Sequence, residues 1–214
     1  ERPNRFVAKV NLEGKEIYCH VKNTGRCREL LVPGATVWLE DSENPGRKYR
    51  YSLVTVQKGE RLVNMDSQAP NKAVYEWLKR GGLFENITLL KPESRYGSSR
   101  FDFYCEYEGK KAFIEVKGVT LENSNIVSFP DAPTERGARH VSELIECMKD
   151  GYEAYIIFVI QMKDVLYFTP NEEHDPIFAS VLRKAQSEGV KIIAVDCNIS
   201  ETEMEIADRT EVKL

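Results

Sequence analysis

The sequence has no C-x-x-C pair, and its five cysteines (Cys19, Cys27, Cys105, Cys147 and Cys197) are odd in number and widely spaced. That spacing argues against thiolate zinc sites and against a disulfide framework, and reduced thiols in a cytoplasmic protein are the simple reading. Histidine is scarce as well: His20, His140 and His174 are the only three, too few for a histidine-rich metal centre. No apolar run approaches the roughly 20 residues that cross a bilayer as a helix. The longest, Ala154–Ile160, has the length of a strand, so no membrane role is expected. A G-x-x-x-x-G-K-[ST] loop, a G-x-G-x-x-G fingerprint and a G-x-S-x-G elbow are all missing. Nucleotide hydrolase, dehydrogenase and esterase readings lose support accordingly.

An excess of positive charge is also lacking, since 30 Lys/Arg face 34 Asp/Glu for a net charge of −4. Taken alone, that total speaks against a nucleic-acid partner. The distribution says more: residues 1–64 carry 12 basic and 8 acidic side chains, and the remaining 150 carry 18 and 26. A mildly basic first third joined to an acidic remainder points to division of labour, although polyanion binding depends on local patches rather than sums.

What is present divides into two patterns. Phe6–Leu12 and Lys15–Val21 flank Glu13-Gly14 as a tight hairpin, and Asn23-Thr24-Gly25-Arg26 and Pro33-Gly34 read as turns. Thr36–Glu40, Tyr49–Gln57 and Arg61–Met65 follow as strands. Five short strands in this length suit a small OB-type barrel, with an SH3-like barrel or an open meander as alternatives. The pattern changes at Ala69-Pro70-Asn71, which sets the boundary between residues 1–66 and 67–214. Ala73, Val74, Trp77 and Leu78 recur at helical spacing up to Gly81-Gly82. Ile87–Arg95 reads as a strand, and Phe101–Tyr107 with Lys111–Val119 as a hairpin. A loop then runs to Pro133, with Thr134 as N-cap of a helix whose apolar face is Ala138, Val141, Leu144, Ile145 and Met148. Tyr152–Gln161 is a continuous apolar strand, as expected where both faces are buried. A helix from Asp175-Pro176 to Gly189 and the strand Lys191–Asp196 complete a βαβ unit. The second region is therefore an α/β sandwich on a mixed sheet, with the hairpin expected at its centre.

Within that hairpin, FDFYCEYEGKKAFIEVKGVT places Glu115 and Lys117 two residues apart in an apolar, β-branched strand. Side chains alternate along a strand, so the two share a face. If Glu108-Gly109 forms a two-residue loop, Tyr107 pairs with Lys110 and the count sets Asp102 opposite Glu115, about 4.5–5.5 Å apart at Cβ. A cross-strand ion pair accounts for Glu115 and Lys117 but leaves the second carboxylate facing the first, a repulsive arrangement. A divalent cation removes the conflict, and Mg²⁺ favours hard oxygen ligands. Asp102 and Glu115 are then metal ligands, and Lys117 is placed to orient an attacking water or to stabilise charge building on a phosphate. Such a site suits phosphodiester hydrolysis.

The blocks NTGR (23–26), LVPGATVWL (31–39), RYGSSRFDF (95–103), EVKGVTL (115–121) and FPDAPTERGARH (129–140) span most of the chain. On these blocks, the last being the most specific, the chain resembles the sugar fermentation stimulation protein family (SfsA). The resemblance implies a mixed α/β architecture: an N-terminal all-β OB-like barrel followed by a restriction-endonuclease-like PD-(D/E)xK domain with a mixed central sheet. It also implies DNA binding, with Asp102, Glu115 and Lys117 as a nuclease-type catalytic triad and Mg²⁺ or Mn²⁺ as cofactor. One departure from the motif is that Phe101-Asp102 stands where a Pro-Asp dipeptide is the motif's name-giving form.

Other residues are candidates for support. Glu76 lies on the helix before the core, where an extra acidic ligand or a solvated carboxylate are both open readings. Arg136, His140 and Glu143 share one face of the helix after Pro133, and Glu135 and Arg139 form a neighbouring i,i+4 pair. Either set lies where a helix N-terminus favours a phosphate. Lys22, Arg26, Arg28, Arg47, Lys48 and Arg50 in the first region, with Arg95 and Arg100, are candidate contacts to a DNA backbone. Tyr18, Trp38, Tyr49 and Tyr51 supply either a stacking surface or barrel core, and core is the expectation for Trp38. Three functions stand at this point: a metal-dependent nuclease, a non-catalytic DNA-binding regulator linked to sugar metabolism, and an interaction module without nucleic acid. Strandedness and oligomeric state stay open, a homo-oligomer included.

Overall fold

The computed structural model describes residues 1–23 and 25–214. The turn expected at Asn23–Arg26 includes Thr24, which lies outside the described residues. Chain order begins with β1 (Val7–Leu12) and β2 (Lys15–Val21), an antiparallel pair whose register closes at Leu12↔Lys15. Glu13 and Gly14 between them both take positive φ, as a two-residue hairpin turn requires. β3 (Val37–Asp41), β4 (Tyr51–Lys58) and β5 (Arg61–Asn64) complete a five-stranded sheet in the order β1-β2-β4-β3, with β5 on β4. Its interior is small and aliphatic, built on Ala8, Cys19, Val21, Leu30, Leu53, Val56, Val63 and Met65. Trp38 is a correction to the expectation of a core residue. It is half-buried, Tyr49 and Tyr51 likewise, and Tyr18 is 53% exposed. Val37 and Leu39 pack against the core, and Trp38 between them does not.

The second region opens with α1 (Ala69–Lys79), which has proline in its first turn and buries Pro70, Ala73, Val74 and Leu78. There follow β6 (Ile87–Tyr96), β7 (Ser99–Tyr107), β8 (Lys110–Val119), β9 (Leu121–Asn123) and β10 (Ile126–Phe129). The chain continues through α2 (Glu135–Lys149), β11 (Glu153–Ile160), β12 (Tyr167–Pro170), α3 (Pro176–Ser187), β13 (Lys191–Ile199) and β14 (Met204–Val212). Thr134 caps α2 by accepting from Gly137 N at 3.0 Å, and Asp175 caps α3 by accepting from Phe178 N at 2.9 Å. Asp175 also accepts from Thr134 N at 2.8 Å, which ties the two helix starts together.

The nine strands run β6-β7-β8-β11-β13-β14-β12-β10-β9. β11 lies parallel to both β8 and β13, with α3 in the crossover to β13, so the βαβ unit is present. The hairpin is not central, however: β7 and β8 are second and third of nine. β9 and β10, from the segment expected as a loop, and β12 and β14, where no element is expected, extend the sheet on the far side of β13. One core layer joins Ala73, Val74 and Leu78 of α1 to Phe103, Ile114, Val116 and Ile157. The other joins Val141 and Leu144 of α2 to Phe101, Phe113, Ile156 and Phe158, and continues into the interior of the five-stranded sheet.

That shared core is reinforced by polar brackets. The Gln161 side chain donates to Asn64 O, Asn64 Oδ1 and Asp66 O at 3.0–3.2 Å, and Asn64 N donates to Gln161 O. Buried Glu122 takes Lys58 Nζ at 2.5 Å. Gly118 lies under this bracket: a Cβ there would stand 2.5 Å from Gln161 Oε1 and 2.9 Å from Pro70 Cγ. The residue after Lys117 is therefore glycine because β8, α1 and the bracket meet there.

Candidate functional site

Glu108 and Gly109 take φ of 48° and 76°, the signature of a two-residue primed turn. The register then runs from Tyr107↔Lys110 to Phe103↔Ile114 and stops one residue short of Asp102 and Glu115. In a continuing ladder the Val116 N–H would donate to the Phe101 carbonyl. It donates instead to Asp102 Oδ2 at 2.7 Å, while Asn71 Nδ2 of α1 donates to Asp102 Oδ1 at 2.6 Å. Side-chain alternation breaks at the same place, since Phe101 packs in the α2 layer and Phe103 in the α1 layer. Asp102 sits at the point where the strands part, its carboxylate held from two sides.

Glu115 is buried to 3% exposure. Its Oε1 takes Lys117 Nζ at 2.5 Å and lies 2.6 Å from His140 Nδ1, whereas its Oε2 is buried with no hydrogen-bond partner among the described residues. Arg136 Nε approaches His140 Nε2 at 3.4 Å. Burial, and then the charge of Glu115, raise the Asp102 carboxyl above its ordinary range. Burial pushes Glu115 the same way, but the His140 hydrogen bond and the Lys117 charge outweigh it and hold Glu115 below its ordinary value. The two carboxylates thus carry opposite shifts, the pattern expected of interacting acids in unlike settings.

The two carboxylates fit a hard divalent cation in one respect that can be tested on the structure. A buried acceptor without a donor costs free energy unless something else meets it, and Glu115 Oε2 is such an atom. Among the described residues no group of three or more His, Cys, Asp or Glu side chains is arranged to hold a metal. A site of two carboxylates suits Mg²⁺, which keeps several waters of its own.

The predicted supporting residues divide. His140 is buried against Glu115 and Arg136 joins it. Glu135 and Arg139 are exposed and not paired with each other, contrary to the i,i+4 expectation. Of the two readings open for Glu76, the solvated carboxylate fits: it is exposed, pairs with Lys79 at 3.8 Å and lines a groove of about 800 Å³ with Lys72, Arg80 and Glu203. It stands about 140° around the helix from Asn71 at roughly 100° per residue, so Asn71 is the α1 side chain that reaches Asp102. Nothing in its spacing marked Asn71 out; only the packing of α1 on β8 does.

Of the basic candidates, Arg26, Arg28, Arg95, Arg136 and Arg139 are exposed, with no carboxylate at ion-pair distance among the described residues. Arg47 donates to Ser52 Oγ at 3.2 Å, and Lys48 lies over the Tyr49 ring. Lys22 is drawn into ion pairs with Glu40 and Asp66, Arg50 into a forked pair with Asp41, and Arg100 lies 3.5 Å from Glu93. Asp131, not singled out in the sequence, joins two of the motif blocks: its Oδ2 accepts from Arg26 N at 2.7 Å. A Cβ on Gly25 would meet that carboxylate at 2.6 Å. The basic turn at 25–28 is thereby seated beside the start of α2, the helix that carries Arg136 and His140.

All five cysteines are free and buried. No described helix is long and apolar enough to cross a membrane.

Residues 1–65 match the family model described as the SfsA N-terminal OB domain, and residues 68–203 the one described as the sugar fermentation stimulation protein RE domain. The sugar fermentation stimulation protein homolog of Clostridium beijerinckii is 57% identical over 213 residues, which cover all of this chain and 94% of that protein. The homolog of Ruminiclostridium cellulolyticum is 58% identical over 214 residues, covering 100% and 95%. A solved structure described as Pyrococcus Furiosus SfsA in complex with Ca2+ superposes with a TM-score of 0.90 at 30% identity, over 100% of this chain and 93% of that one. An OB domain joined through one continuous core to a mixed α/β domain, matched along nearly its whole length, makes this chain a member of the sugar fermentation stimulation protein (SfsA) family.

Proposed function

We propose that the protein binds DNA and cleaves its phosphodiester bonds with Mg²⁺ or Mn²⁺, using Asp102, Glu115 and Lys117. The observation that carries this reading is the buried, unpartnered Oε2 of Glu115 beside a second carboxylate. Asp102 and Glu115 would hold the cation. When bound, it supplies charge neutralisation for a phosphate and lowers the pKa of water. The chain's own part is positional. Val116 N and Asn71 fix Asp102, and Lys117 Nζ waits on Glu115 Oε1, from which it can donate to an attacking water or to a phosphate oxygen. Arg139 and the outer N–H groups of Arg136 on the first turns of α2, with Arg26 and Arg28 tied to the segment before α2 through Asp131, offer a phosphate backbone guanidinium groups that have no carboxylate at ion-pair distance among the described residues. The Ca²⁺ in the description of the Pyrococcus structure supports a divalent-cation site in this fold. Buried free thiols fit a cytoplasmic setting.

The test is cleavage of single- and double-stranded DNA with Mg²⁺ or Mn²⁺, against Lys117→Ala and Asp102→Asn. Metal-dependent cleavage lost in both variants is the expected result, and cleavage that survives both would overturn the assignment. The tight Lys117–Glu115 pair favours one alternative, a DNA-binding regulator linked to sugar metabolism in which the pair is permanent. That reading predicts salt-sensitive DNA binding and no cleavage.

A further inference from the structure

We propose that His140 is a positioning residue for Glu115, and that Arg136 fixes the tautomer in which it does so; the inference rests on the cation reading above. A guanidinium has donors only. With Arg136 Nε directed at Nε2, that ring nitrogen presents its lone pair, so the imidazole proton resides on Nδ1. Nδ1–H then donates to Glu115 Oε1 at 2.6 Å. The residue is 4% exposed and its ring lies edge-on to Phe101, with centroids 6.2 Å apart, which leaves it little freedom to turn.

The distribution of donors is what separates this arrangement from an ordinary buried ion pair. A carboxylate stabilised only for folding gains by spreading its donors over both oxygens. Here Lys117 and His140 converge on Oε1, and Oε2 is left bare in a buried place. Two donors on one oxygen also make one of them dispensable. If Lys117 swings from Glu115 to a substrate oxygen, His140 keeps the carboxylate anchored and its free oxygen aimed. Without His140, release of Lys117 would leave Oε1 of a buried carboxylate with no donor and the side chain free to turn about the cation, which is costly. The imidazole thereby frees the lysine for chemistry.

Two readouts test this, neither of them activity. Long-range ¹H–¹⁵N correlation spectra of labelled protein, with only three histidines to assign, should show His140 protonated on Nδ1 and bare at Nε2. Calorimetric titration with Mn²⁺ should show affinity about tenfold or more weaker in His140→Ala, the loss typical of removing a hydrogen-bond partner from a metal ligand. His140→Asn should stay close to wild type, because its amide nitrogen stands where Nδ1 stood. The inference is overturned by a proton on Nε2, by His140→Ala binding Mn²⁺ as well as wild type, or by His140→Asn failing as badly as the alanine variant. A wild-type protein that takes no Mn²⁺ would overturn the cation reading instead. The tautomer would then decide alone, with Nδ1–H for positioning and Nε2–H against it. Should His140→Ala not fold, the asparagine variant and the wild-type spectrum still decide.

Discussion

Val116 gives its backbone N–H to the carboxylate of Asp102, at 2.7 Å, where an uninterrupted hairpin would have given it to a main-chain carbonyl. The strands part so that a side chain can take the place of backbone, and Asp102 is thereby held without a rotamer of its own to choose. Glu115, Lys117 and Gly118 on the facing strand have settings of their own, and each setting has a measurable consequence.

Asp102→Asn should raise the melting temperature at pH 7, with its amide oxygen accepting from Val116 N and the Asn71 amide turned so that its Oδ1 accepts from the new NH2. The folded-state pKa of Asp102 is raised, by burial first and by Glu115 second. An acid with a raised pKa costs stability wherever it is ionised, and the cost vanishes below its unfolded value. The gain in the variant should therefore be full at neutral pH and shrink as the pH falls through the carboxylate range. Thermal denaturation across pH checks it, and a variant less stable at pH 7 in the absence of metal would contradict it.

Lys117→Ala should show the opposite dependence. Burial alone would raise Glu115, but His140 and Lys117 hold its folded-state pKa below the unfolded value. That stabilisation is complete above the unfolded pKa and lost as the pH falls through the folded one. Removing the lysine should cost about 1–3 kcal/mol at pH 7, with the difference from wild type closing in acid. Urea denaturation at several pH values measures both the size and the trend.

Gly118→Ala should destabilise the protein by about 1–3 kcal/mol through overpacking. The added methyl meets Gln161 Oε1 and Pro70, so the strain falls on the bracket to Asn64 and on the start of α1. Because Lys117 precedes it, any cleavage activity should fall with stability. A neutral substitution would show that the bracket yields more easily than its hydrogen bonds suggest.

DNA binding should depend on the arginines with no carboxylate at ion-pair distance among the described residues, and not on the paired ones. Replacing Arg26 and Arg28 together by alanine should flatten the slope of log K against log[salt] by about 0.9 for each phosphate they neutralise. Arg50→Ala should leave the slope unchanged, since Asp41 already holds that guanidinium. Equal effects from both would contradict the seating of the 25–28 turn beside α2.

Much of the site was legible in the order of residues alone. Glu108-Gly109 set the register, and period-two alternation put Glu115 and Lys117 on one face. What the count missed was the parting of the strands, because it depends on Asn71 arriving from α1 to hold the other carboxylate oxygen. Helical spacing grouped Arg136 with His140, but the contact of His140 with Glu115 depends on how α2 packs over β8. Glu76 stayed open between ligand and solvated carboxylate because its acidity was visible and the rotation of α1 was not. β14 was invisible for a different reason. Its sequence MEIADRTEV is mostly polar, only Ile206 is buried, and its place in the sheet comes from pairing with β13 and β12. Tertiary pairing outweighed local pattern there.

At the centre of this reading stands a divalent cation shared by Asp102 and Glu115. Anomalous diffraction from a crystal soaked in Mn²⁺ tests it most directly. A peak is expected roughly 2.0–2.2 Å from Glu115 Oε2 and at similar distance from an Asp102 oxygen, with His140 still on Oε1. An ordered site with no peak between the two carboxylates, in crystals that bind Mn²⁺ elsewhere, would contradict it.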